Sequence, residues 1–170
     1  PGELQNKRGK KIFGVISPHA GYQFSGPAAA WSFKELAESK FPEVYVLLGP
    51  NHSGLGEPIS IFEDDWETPL GLIKTDKELV KELSNNLIKK SKLAHLNEHS
   101  IEVQLPFLQF VSKQYLPDLR IVAISMVNQD YETIKKLALT LSKIKKEVCF
   151  IASSDFTHYG VNYGYTPFKY

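Results

Sequence analysis

Cysteine is almost missing from this sequence: Cys149 is the one thiol in 170 residues. That excludes an internal disulfide framework and any all-cysteine metal cluster built from this chain. Neither charge is in excess, since 20 basic and 19 acidic side chains leave a net +1. There is therefore no electrostatic footprint for nucleic acid or for an anionic membrane surface. The arginines are Arg8 and Arg120 alone, so no cluster of forked guanidinium groups is available for phosphate. No apolar run approaches the roughly 18 residues of a bilayer span. The segment from Pro1 to Lys11 is polar and basic with no apolar core, so no export signal is visible and the expected address is the cytoplasm. Repeats, low-complexity tracts and linkers are absent as well.

What remains is the composition of a globular domain, 42% hydrophobic and 23% charged. A chain of this length fits one domain of about 100–200 residues, long enough to bury about 70% of its unfolded surface. Short apolar runs alternate with helical patterns. Ile12 to Ile16, Val44 to Leu48, Ile121 to Met126 and Val148 to Ala152 read as buried strands. Ser25-Gly26-Pro27 reads as a helix start with Pro27 near the first position, carrying Ala28, Trp31, Leu36 and Ala37 to the core. Ile59 to Phe62 and Leu72-Ile73 read as a hairpin around an acidic turn, Glu63 to Pro69. Thr75 to Glu78 fits a capping box for a helix reaching about Leu87. Another helix begins near Asn97 and carries Ile101, Leu105 and Leu108, with Pro106 as a kink, and Tyr131 to Ile144 is amphipathic. Continuous apolar strands between helices predict an α/β protein: an αβα sandwich on a mostly parallel sheet. The lysine clusters Lys89-Lys90-Lys92 and Lys143-Lys145-Lys146 read as solvated helix ends, and Cys149 as a buried, inert thiol.

Three of the five histidines occupy one kind of place. His19 follows the strand ending at Ile16-Ser17, His52 the strand ending at Leu47-Leu48, and His158 the strand ending at Ala152-Ser153. Loops leaving the carboxyl ends of parallel strands share one edge of the sheet, where ligands bind. The three can converge although they are far apart in sequence, and imidazoles beside a carboxylate suit non-haem Fe(II) or catalytic Zn(II). Two motifs do not hold up. The glycine loop from Gly49 to Gly56 has Leu55-Gly56 where a phosphate-binding loop needs Lys and Ser/Thr. His95-Leu96-Asn97-Glu98-His99 spells a zinc-peptidase pattern, but Asn97 reads as a helix cap that leaves His95 outside the turn carrying His99.

Four blocks, Pro18 to Tyr22, Gly49 to His52, Glu98 to Phe107 and Ser153 to Tyr159, together resemble the Memo family, in family order and across nearly the whole chain. The resemblance implies a fold similar to the class III extradiol dioxygenases, which open catechol rings with Fe(II) and O₂. His19 and His52 then match the family's two histidine metal ligands. His99 and His158 match pocket histidines that do acid–base work, and Asp155, Tyr22 and Asn51 are the candidate substrate contacts. The family's third ligand is a cysteine from a C-terminal portion, and Cys149 stands in the wrong place to replace it. The expectation is one Memo-like domain over residues 1–170 without that portion. Two functions follow. One is a metal-dependent, dioxygenase-like oxidoreductase, with Fe(II) first and copper or zinc as alternatives. The other is a pocket that binds a small molecule or peptide without reacting, with a zinc-dependent hydrolase as a more remote third.

Overall fold

The computed structural model describes residues 1–6 and 8–168. In chain order the elements are β1 (Gly14–Ser17), α1 (Tyr22–Glu38), β2 (Val44–Pro50), β3 (Ile59–Ile61), β4 (Trp66–Thr68), β5 (Gly71–Thr75) and α2 (Lys77–Leu83). They continue with β6 (Lys89–Lys90), α3 (His99–Glu102), α4 (Leu105–Val111), β7 (Arg120–Met126), α5 (Tyr131–Leu141) and β8 (Val148–Ser153). The strands form a mixed, mostly parallel sheet of order β1-β8-β2-β7-β3-β6, with β5 beside the start of β7 and β4 paired to β5. The pairs β1–β8, β8–β2 and β2–β7 are all parallel, so β1, β2 and β8 end at the same edge.

Alternation along the central strands explains the two helical layers. Tyr45 and Leu47 of β2, Ile121 and Ala123 of β7, and Cys149 and Ile151 of β8 join one core, with Phe33 of α1 and Leu105 and Leu108 of α4. Their neighbours Val44, Val46, Val122 and Ile124 join the other, with Leu79 of α2 and Leu137 of α5. Successive side chains on a strand point to opposite faces, so runs that are apolar throughout must be covered on both sides. The αβα sandwich follows. Burial pushes the Cys149 thiol up to about 11, which leaves it protonated and unreactive. Among the described residues no helix is long and apolar enough to cross a membrane.

Several local expectations need correction. Helix α1 starts at Tyr22 with Gly21 as its cap, and Pro27 lies inside it at the cost of one ladder bond. Ala29, Phe33 and the expected Leu36 are buried, while Ala28 and Trp31 face solvent. The hairpin is β4–β5, in which the expected strand Leu72-Ile73 pairs with a strand from inside the expected turn, because β3 pairs antiparallel with β7 instead. Asp76, not Thr75, caps α2 by accepting from the Leu79 N–H. Thr75 is the last residue of β5, and its hydroxyl donates to the Asp64 carbonyl. The helix expected from Asn97 is two helices, with Glu98 capping the first and Pro106 in the opening turn of the second. Lys89 and Lys90 lie on a short edge strand, paired with Glu57 and Glu63.

Candidate metal centre

The ends of β1, β2 and β8 carry the loops that hold His19, His52 and Asp155 with His158, and α3 opens at His99 against the end of β2. The approach of α3 depends on Gly49, where a Cβ would stand 2.7 Å from Ser100 Oγ and 2.9 Å from Ile101 Cγ1. No side chain fits there. Glycine brings β2 and α3 together and with them His52 and His99.

The imidazoles of His19, His52 and His99 face one another. Their ring centroids are 5.3 Å apart for His19–His52, 5.8 Å for His19–His99 and 4.9 Å for His52–His99. One donor nitrogen from each lies within 4.8 Å of the other two. His19 is buried, while His52 and His99 are exposed. Burial lowers the His19 pKa, and the neighbouring His52 and His99 lower it further against the opposing pull of Asp155 and Glu98. A lowered pKa keeps its imidazole neutral, the form that binds metal.

Hydrogen bonding fixes which nitrogen of His19 is free. Ser153 Oγ donates its one proton to the Ser100 carbonyl at 2.6 Å. It must therefore accept from its other partners, Gln104 Nε2 at 2.9 Å and His19 Nδ1 at 2.9 Å. Nδ1 carries the proton and Nε2 the lone pair. The backbone of the same loop is tied to Asp155, whose Oδ1 accepts from the His19 N–H at 2.5 Å and the Ala20 N–H at 3.3 Å. The other carboxylate oxygen stands 3.9 Å from His19 Nε2 and 3.9 Å from His158 Nε2.

His19, His52, Asp155 and His158 line a cleft of about 420 Å³, whose opposite wall is apolar and includes Met126, Ile134 and Leu137. Phe156 also lines the cleft. Its φ of 56° is the one positive value outside glycine among the described residues, a conformation that costs a bulky residue energy and gathers at functional loops. Among the described residues the cleft lining includes no lysine or arginine.

The structure thus brings together His19, His52, His99, His158 and Asp155, and it puts His99 at the same range as the two expected ligands. The other two candidates are not among the residues lining the cleft. Tyr22 packs edge-on against Phe107 at 5.6 Å and lines a separate apolar groove. Asn51 is spent on its own loop, where Oδ1 accepts from Ser53 and Gly54 and Nδ2 donates to the Leu55 carbonyl. His95 is buried outside α3, packed against Phe62 and Trp66, so the peptidase pattern has no shared face.

Three contributors escaped the sequence reading: Glu98, Ser153 and Gln104. The Glu98 side chain is 1% exposed. Burial alone would raise its pKa, but hydrogen bonds from the His52 ring, from the Ser100 N–H and from the His52 N–H outweigh it and hold the carboxyl at about 2. The signal was an acidic residue directly before a helix start, a capping position.

Comparison with known proteins gives the same direction. A family model described as Memo-like protein matches residues 1–169. A MEMO1 family protein of Pyrococcus abyssi is 45% identical over 179 aligned residues, covering 99% of this chain and 60% of its own length. One from Methanosarcina barkeri is 46% identical, covering 89% of this chain and 57% of its own length. One from Thermotoga neapolitana is 44% identical, covering 94% and 59%. The chain spans about 60% of the length of the curated relatives it matches. On the match of the whole sequence and the convergence of its histidine motifs at one sheet edge, the chain belongs to the Memo-like family.

Proposed function

We propose that His19, His52 and His99 hold one divalent transition-metal ion, and that the protein is a metal-dependent oxidoreductase acting on a small molecule in the adjoining cleft. The observation that carries this reading is the convergence of three imidazole donors, from three separate segments, within 4.8 Å of one another. Metal–nitrogen bonds of about 2.0–2.1 Å put the ligands of one ion roughly 3–4 Å apart, so small ring rotations close the set. Nitrogen donors favour Fe(II), copper or zinc over the oxygen-seeking Mg²⁺ and Ca²⁺. Fe(II) is the first choice from the resemblance to the extradiol dioxygenases. Three ligands on one side leave open positions, which distinguishes reactive from structural sites. Such an ion supplies Lewis acidity or one-electron chemistry to a ligand held there.

The chain's own residues do the rest. Asp155 fixes the His19 loop through two backbone N–H groups. His158 is half-exposed, at the cleft and beside Asp155, placed to take a proton from a bound ligand and return it. The apolar wall of the cleft fits the carbon body of a small ligand. Among the described residues the lining holds no lysine or arginine, so a phosphorylated peptide finds no charge partner among them, which favours the catalytic reading over a phosphopeptide-binding one.

The test is a chelator-competition titration with Fe(II), Cu(II) and Zn(II), followed by anaerobic Fe(II) loading and O₂ uptake with a panel of catechols. One ion should bind per chain, and the double variant His19→Ala/His52→Ala should lose it. Full binding by the double variant would overturn the ligand assignment. Tight Fe(II) binding without O₂ uptake would leave a binding module.

A further inference from the structure

The carboxylate of Glu98 touches the site at several points. Its Oε1 lies 2.9 Å from His52 Nδ1 and 2.8 Å from the Ser100 N–H, and its Oε2 accepts from the His52 backbone N–H. It also stands 3.8 Å from His99 Nδ1. The side chain is 1% exposed, while the rings of His52 and His99 are 48% and 54% exposed. One buried acid thus caps the helix that carries His99 and grips both backbone and ring of His52.

Donor accounting then fixes the ring. A carboxylate holding three N–H groups is acceptor only. A neutral imidazole has one N–H, and the nitrogen facing Glu98 must be the one that bears it. We propose that Glu98 is a positioning residue that locks His52 in the tautomer protonated at Nδ1, so that Nε2 keeps the lone pair a metal ion needs. The inference rests on the metal reading for its purpose, but the lock itself belongs to the metal-free protein. Two anchor points on one residue hold the ring at a single orientation although it is half in solvent. The arrangement matches that of Ser153 with His19, with a full charge in place of a hydroxyl. Carboxylate partners of ligating histidines raise ligand basicity, and their loss typically lowers metal affinity about 10–100-fold.

Glu98→Ala is the discriminating variant. It removes both acceptor oxygens, so the His52 ring N–H, the His52 backbone N–H and the Ser100 N–H all lose their partner. With nothing to accept at Nδ1, the ring is free to return to the Nε2–H form that neutral histidine favours in water. The experiment is long-range ¹H–¹⁵N correlation of the histidine rings at pH 8 without metal, with His52 assigned through a His52→Ala variant. Zn²⁺ affinity follows by chelator competition, with circular dichroism as the check on folding. The wild type should show His52 protonated at Nδ1. Glu98→Ala should show Nε2–H or a mixture, and Zn²⁺ binding weakened at least tenfold. Nε2–H in the wild type overturns the proposal without recourse to any variant. An unchanged tautomer in folded Glu98→Ala overturns it too, and reduces Glu98 to a helix cap. If the wild type binds no Zn²⁺ while its tautomer follows Glu98, it is the metal reading that fails and not the lock.

Discussion

Taking the protein from pH 7.5 to 4.5 charges buried groups, and the cost at His95 can be worked from its surroundings. The ring is 6% exposed and packs against Phe62 at 5.1 Å and Trp66 at 6.0 Å. Its Nε2 donates to the Ser60 carbonyl at 3.3 Å, and Nδ1 has no hydrogen-bond partner among the described residues. Protonation would place a second N–H where nothing accepts it. Burial, only partly opposed by Ser60 and Glu98, lowers the pKa from 6.5 to about 4. The folded pKa lies below the unfolded one, so this contribution to stability is complete above pH 6.5 and is lost as the pH falls towards 4. At pH 4.5 the unfolded ring is almost fully protonated and the folded ring mostly neutral, a loss of roughly 2–3 kcal/mol relative to pH 7.5. With a urea m-value of about 2 kcal/mol/M, the midpoint moves by about 1 M. Glu98 and His19 also titrate, so the comparison is with His95→Phe, which keeps the ring contacts and cannot titrate. Its lost hydrogen bond to Ser60 is common to both pH values and cancels in the difference. Urea denaturation followed by circular dichroism at the two pH values should show the wild type losing roughly 2–3 kcal/mol more than the variant. Equal losses would show that His95 is not held neutral and buried.

Three further outcomes are expected. Gly49→Ala forces a Cβ against Ser100 and Ile101, which should cost about 1–3 kcal/mol and weaken metal binding as α3 is pushed from β2; denaturation and chelator competition read the two effects. Ser153→Ala leaves His19 Nδ1, Gln104 Nε2 and the Ser100 carbonyl each short of a partner, at about 1–3 kcal/mol of stability, with a visible change in the His19 ring resonances. Cys149, buried with its pKa raised to about 11, should resist thiol reagents at pH 7.5 in the native protein and react fully once unfolded. Rapid labelling of the native state would contradict its place in the core.

The sequence by itself settles the architecture. Val44 to Leu48, Ile121 to Ile124 and Val148 to Ala152 are apolar at every position, and a strand with two apolar faces has to lie between two layers. From that follow the parallel sheet, a shared edge for its loops, and the meeting of His19, His52, Asp155 and His158. Capping and pairing were less legible. Ser25-Gly26-Pro27 and Thr75 carry good start signals, yet Gly21 and Asp76 are the caps, because tertiary packing of Phe33 and Leu79 sets where each helix begins. Only the tertiary structure decided the role of Glu98. A buried carboxylate holding three N–H groups is a fact about distances between β2 and α3, two segments 46 residues apart at their contact. Spacing along a chain fixes contacts within one helix or hairpin, whereas contacts across a sheet edge depend on how closely the elements pack, and here that closeness was set by the missing side chain of Gly49.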